Sequence, residues 1–255
     1  MWAGPLIFGI AVARAFPPSL GWLVLASLGA FLSLQPLTLL VKILAGRRPR
    51  DEQGPAMLWL AVYGVAALIG VIGLLYQGAG WTLALGALAA PVLVWQMALV
   101  MRREERGQMG VELVGSGVLA LNALAGYGVA TGVGIDTRGL VLFALSWLQA
   151  AAGIVYIYLC LDYRRMKAPP PTAERWRLAR RALLYTGANV IVAFGMAALG
   201  LAPIGAGLAF ILMLIETVVG GVLRPPVAAR PAAIGIRQLI VTALFFGVMI
   251  LAYLL

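Results

Sequence analysis

Residues 204–223 read IGAGLAFILMLIETVVGGVL, twenty residues interrupted by a single charge, Glu216. A helix needs about 20 predominantly apolar residues to cross the roughly 30 Å hydrocarbon core of a bilayer. The stretch therefore reads as a transmembrane helix, and the same pattern recurs along the chain. Apolar runs occupy 1–16, 19–43, 56–76, 81–101, 111–131, 139–162, 180–199, 204–223 and 237–255. Hydrophobic residues make up 63% of the 255 residues and charged residues 11%, where a soluble domain carries about 25% charged. The alternating ten-residue segments of a β-barrel do not appear. The expected fold is an all-α, polytopic transmembrane bundle of about nine spans, forming a single domain over 1–255.

The connectors alternate in character. GRRPRDEQGP (46–55), RREERGQMG (102–110), YRRMKAPPPTAERWRLARR (163–181) and RPPVAARPAAIGIR (224–237) are charged. FPP (16–18), QGAG (77–80), GVGIDTRG (132–139) and LAP (201–203) are nearly neutral. With Lys42, the charged set holds every Lys and Arg except Arg14 and Arg138. Basic residues concentrate in cytoplasmic loops, so nine spans imply a cytoplasmic N-terminus and an exported C-terminus. The net charge of +10 is thus a topological signal and argues against a nucleic-acid partner. The expected location is a bacterial inner membrane.

The first run is short and contains Arg14. It reads either as a partial span or as the remainder of a helix that begins upstream of Met1. No soluble domain and no cleavable-signal pattern is visible. The chain has one cysteine, Cys160, and no histidine. A disulfide within the chain, Cys/His metal ligation and histidine acid–base catalysis are therefore excluded, and no cofactor is expected. Pro36 and Pro91 fall inside spans and are expected to kink them. Gly115 with Gly117, and Gly205 with Gly207, are expected at close helix contacts. Thr172 reads as an N-cap, and Trp176 as a residue at headgroup level.

Seven polar side chains fall within or at the ends of spans: Gln35, Gln96, Glu112, Asn122, Gln149, Asn189 and Glu216. A charge at membrane depth costs at least about 2.5–3.5 kcal/mol, so it faces the bundle interior and has a partner. Two accounts of Glu216 stand open. It ties helices together, protonated or paired with an Arg or Lys, or it anchors a ligand or proton in an interior cavity. The amides read mainly as interhelical bonds, and Glu112 as a partner of Arg102, Arg103 or Arg106. A second constellation lies at the cytoplasmic mouth. Tyr158, Asp162 and Arg165 share a helix face at i, i+4 and i+7. Lys42, Arg47, Arg48 and Arg50 end another helix, and Arg237 with Gln238 opens the last. Together they read as a rim able to hold an anion such as a lipid phosphate. No phosphate-binding loop, serine nucleophile motif, voltage-sensing helix or inverted repeat is evident.

Three stretches carry a family resemblance: AGPLIFGIAVARAF (3–16), QAAAGIVYIYLCLDYRRMK (149–167) and RPAAIGIRQLIVTALFFGVMILAYLL (230–255). In this order they resemble the YwiC-like family of bacterial integral membrane proteins, whose activity is not established. That family usually opens with a His-Gly-Ala-Trp stretch, whereas this chain opens Met1-Trp2-Ala3-Gly4-Pro5. A fainter architectural similarity is to UbiA-type prenyltransferases, which bind Mg²⁺ and a prenyl diphosphate through aspartate-rich motifs in the second and sixth helices. The second helix here has no aspartate and carries Lys42. The sixth keeps only Asp162 before Tyr163, Arg164 and Arg165, so no metal site is expected. The leading expectation is a binding or accessory protein in contact with membrane lipids, holding a lipid, isoprenoid or quinone or serving other membrane subunits. The alternatives are an enzyme acting on a prenyl or lipid diphosphate and a proton-coupled small-molecule transporter.

Overall fold

The computed structural model describes residues 2–104 and 108–255. The described residues form nine α-helices: α1 (Ala3–Ala13), α2 (Ser19–Leu44), α3 (Gln53–Tyr76), α4 (Thr82–Met101), α5 (Met109–Thr131), α6 (Thr137–Arg164), α7 (Thr172–Ala198), α8 (Gly205–Val218) and α9 (Pro231–Leu254). A 3₁₀ turn, Arg50–Glu52, leads into α3, and a π-helical segment, Val219–Leu223, continues α8. Eight helices are long and apolar enough to cross a membrane, taking α8 together with its π segment. The chain is a multi-pass helical membrane protein. The exception is α1, whose 11 residues reach only about 16 Å at 1.5 Å per residue. It stops at Arg14, which adopts a left-handed conformation with φ 54°.

Two compact units emerge, Met1–Leu140 and Val141–Leu255. In the first, α2 and α3 form the most extensive pair and α1 lies along α5. Lipid tails are as apolar as the side chains, so helices associate through close packing rather than a hydrophobic drive. The glycines show where this happens. A Cβ at Gly29 would stand 2.7 Å from the backbone nitrogen of Ala67, and one at Gly70 would strike the backbone of Ala26. A Cβ at Gly9 would collide with the carbonyl of Ala123, which fixes α1 against α5. The expectation for Gly115 fails, since nothing lies within 4 Å of the space its Cβ would fill. Gly205 and Gly207 meet it, Gly205 against Ala252 of α9 and Gly207 against the Phe194 ring of α7.

The second unit holds α6 from Val141 onward, α7, α8 with its π segment, and α9. Two boundaries differ from the hydropathy reading. α7 starts at Thr172, eight residues before the apolar run at 180, and α9 starts at Pro231, six before the run at 237. Thr172 is the first helical residue rather than the cap; Pro171 holds the cap position and no side chain caps the helix. Pro231 occupies the first turn of α9, where its missing N–H costs nothing and its fixed φ suits a helix. Pro36 and Pro91 both sit inside continuous helices.

Candidate functional site

Four helices of the second unit are joined by polar bonds. Asn189 of α7 donates to the carbonyl of Leu148 in α6 at 2.8 Å. Gln149 of α6 donates to Thr242 Oγ1 of α9 at 3.4 Å. The hydroxyls of Thr186 (α7) and Thr217 (α8) lie 3.3 Å apart, so that one donates to the other while the second donates within its own helix, to the carbonyl of Ala182 or Met213. Asn189, Gln149, Thr186 and Thr217 are all buried. Replacing Asn189 with Ala removes an interhelical bond of the kind worth about 0.6–1.7 kcal/mol in membranes. A loss of that size is expected in unfolding from detergent, with the helix content unchanged.

The most polar cluster involves three helices. Glu216 of α8 receives Arg237 of α9 as a fork, Nε to Oε1 at 2.6 Å and Nη2 to Oε2 at 2.9 Å. The Tyr156 hydroxyl of α6 donates to the same Oε1 at 3.2 Å. Tyr156 lies eight residues before the end of α6, Glu216 eight before Arg224, and Arg237 six after the start of α9. At 1.5 Å per residue these are about 12, 12 and 9 Å from the helix ends on the basic side, so the three groups share one depth. The Glu216 side chain is 15% exposed and that of Arg237 37%. Bidentate geometry makes this a strong form of ion pair, and it offsets part of the cost of taking both charges out of water.

The backbone is shaped around the pair. One turn beyond Glu216 the helix widens into the π segment Val219–Leu223, which contains Gly220 and Gly221. A Cβ at Gly220 would collide with the Tyr156 hydroxyl and approach Arg237 Nη2 to 2.9 Å. Glycine there leaves the space that Tyr156 and Arg237 occupy. The widened turn also presents carbonyls to side chains. The fully buried Tyr163 donates to Gly221 O at 2.7 Å. Arg175 of α7 donates from Nη1 to Val222 O at 3.4 Å and from Nε to Pro170 O at 2.7 Å. A π-helical turn of this sort is rare overall but frequent at functional positions. Tyr163→Phe should cost about 1 kcal/mol, the usual net worth of one hydrogen bond, read as a lower unfolding midpoint with Glu216–Arg237 intact.

The residues singled out from sequence are distributed as follows. Glu216 and Arg237 meet each other, whereas the sequence reading set Arg237 at the cytoplasmic rim. Gln149 and Asn189 hold helices together, as the amide reading expects. Tyr158 is half-buried on α6, away from the face of Tyr156. Asp162 and Arg165 are exposed and approach each other only to 4.0 Å. In the first unit, Lys42 is half-buried at the end of α2 and Gln35 is exposed on the same helix. Asn122 donates back to Leu119 O of its own helix at 3.0 Å. Arg47 donates to Val100 O at 2.7 Å, and Arg48 pairs with Glu52 at 3.2 Å, so two of the rim cations already have protein partners. Glu112 and Gln96 are exposed; of the partners expected for Glu112, Arg106 lies outside the described residues.

Sequence reasoning missed Tyr156, Tyr163 and the Gly220–Gly221 pair. For Tyr156 a signal existed, since it lies two helical turns from Gln149 and so shares its face. Among the described residues no group of three or more His, Cys, Asp or Glu is placed to hold a metal ion.

Residues 1–127 match the model of a family described as YwiC-like protein. Over that stretch the chain is similar to the family. No curated protein and no solved structure matches it. The YwiC-like match ends at Tyr127 inside α5. Only the first of the three stretches behind the sequence resemblance, 3–16, falls within it, and the Glu216 cluster lies outside it.

Proposed function

We propose that this YwiC-like membrane protein is a binding or accessory protein of the bacterial inner membrane that holds an amphipathic lipid or isoprenoid, with Tyr156, Glu216 and Arg237 meeting its polar head. The observation that carries the reading is a three-helix polar cluster at membrane depth, with the neighbouring backbone opened by a glycine to accommodate it. Polar groups at that depth are costly and mark ligand or ion paths more often than chance allows. An interhelical tie alone needs only amides and hydroxyls, and the same unit already has those in Asn189, Gln149 and the Thr186–Thr217 pair.

The diphosphate-transfer reading loses ground on the residues themselves. Magnesium needs several carboxylate or phosphate oxygens, and Asp162 is an exposed carboxylate beside Arg165. The transporter reading requires Glu216 to be free to exchange protons, whereas both of its oxygens are engaged by Arg237.

Native mass spectrometry with lipid extraction tests the proposal on the purified protein and on the double variant Glu216→Gln/Arg237→Gln, which removes both charges together. The expected result is a specific amphiphile on the wild type that is lost from a folded double variant. Bulk phospholipid alone on both proteins would overturn it.

A further inference from the structure

The charge balance of the cluster restricts what it can hold. Arg237 commits Nε and Nη2 to the two oxygens of Glu216, and Tyr156 commits its hydroxyl proton to Oε1. One carboxylate and one guanidinium cancel, leaving a cluster of zero formal charge. Nη1 of Arg237 has no hydrogen-bond partner among the described residues, and the side chain is 37% exposed. On the other side of the guanidinium, Gly220 stands where any side chain would crowd Nη2. The open chemistry is therefore a cationic N–H donor whose charge is already balanced.

A phosphate or diphosphate arriving here would find its counter-cation engaged. It would have to compete with Glu216 for Arg237, or bring an uncompensated negative charge to membrane depth, where charges are expensive. An uncharged acceptor meets neither obstacle. A carbonyl oxygen can accept from Nη1, a charge-assisted hydrogen bond of the stronger kind, while the ion pair stays closed. Tyr156 is buried and holds Oε1 from the protein side, so the exposed donor is that of Arg237 alone. Resting on the amphiphile-binding reading above, we infer that the ligand head is an uncharged carbonyl compound of the quinone class rather than a lipid phosphate.

The test uses the full chain in detergent with three probes added separately: a short-chain benzoquinone with an isoprenoid tail, a prenyl monophosphate, and a phosphatidylcholine as background. Binding is measured by native mass spectrometry and by thermal shift at low and high salt. The quinone should bind at least tenfold more tightly than the phosphate, should be indifferent to salt, and should weaken at least tenfold in Arg237→Lys, which keeps the charge but removes the fork. Because that variant also loosens the pair, Tyr156→Phe serves as a second one; it leaves Glu216–Arg237 closed and should weaken the quinone less than Arg237→Lys does. Tighter, salt-sensitive binding of the prenyl phosphate would overturn the uncharged-head inference and leave the amphiphile reading standing. No probe bound above the phosphatidylcholine background would overturn both.

Discussion

Arg237→Gln should lower the stability of the protein in detergent by about 2–3 kcal/mol, the larger of the two effects expected at the cluster. The reason is what the change leaves behind. Glu216 is 15% exposed, and removing one member of a buried pair strands the other without compensation, a loss of about 3–5 kcal/mol in fully buried cases. The effect is smaller here because Arg237 is more than a third exposed, which weakens the pair by screening. Glu216→Gln should be milder. Its amide oxygen still accepts from Arg237, and a long Arg side chain can reach toward the interface. Thermal or denaturant unfolding of the two single variants checks the order. Equal and small effects would mean that the pair contributes nothing.

The second large effect is expected at a residue with no side chain. Gly220→Ala places a methyl group against the Tyr156 hydroxyl and 2.9 Å from Arg237 Nη2. Overpacking of this kind costs about 1–3 kcal/mol, and here it acts on the two donors that hold Glu216. Removing the hydroxyl as well, in Gly220→Ala/Tyr156→Phe, takes away the first collision. The double variant should be less destabilised than the sum of the two single ones, a coupling that calorimetry or chemical unfolding can read. Strict additivity would indicate that Tyr156 and Gly220 do not share this space.

The helical membrane architecture was legible because hydropathy over 20-residue windows reports it directly, and eight of the nine apolar runs correspond to helices of spanning length. The weakness of the first run was legible too, from its length and Arg14. The boundaries of α7 and α9 were not. TAERWRLARR and RPAAIGIR look like polar connectors, but Ala, Glu, Arg and Leu are good helix formers, and Pro231 begins a helix as readily as it breaks one. Hydropathy registers what lipid tolerates, not where hydrogen bonding starts. That difference moved Arg237 from the mouth of the bundle to the second turn of α9, within reach of Glu216.

The candidate site was half visible. A carboxylate within an apolar run announces itself, as do Gln149 and Asn189. Its partners do not. Tyr156 stands among other aromatic and aliphatic residues in GIVYIYLC, where Tyr158 is an equally good candidate until the faces of α6 are known. The Gly220–Gly221 pair reads as ordinary close packing. Its role as room for Tyr156 and Arg237 depends on side chains from two other helices, and a widened turn has no sequence mark of its own. The family match over residues 1–127 does not reach this region, so the site rests on its geometry.

A double-mutant cycle on Glu216→Gln and Arg237→Gln, measured by unfolding in detergent, tests the pairing most directly. If the two charges sustain each other at membrane depth, the double variant will be more stable than the sum of the single losses requires, by at least about 1 kcal/mol. Additive losses, with a coupling near zero, would contradict the ion pair at the centre of the site.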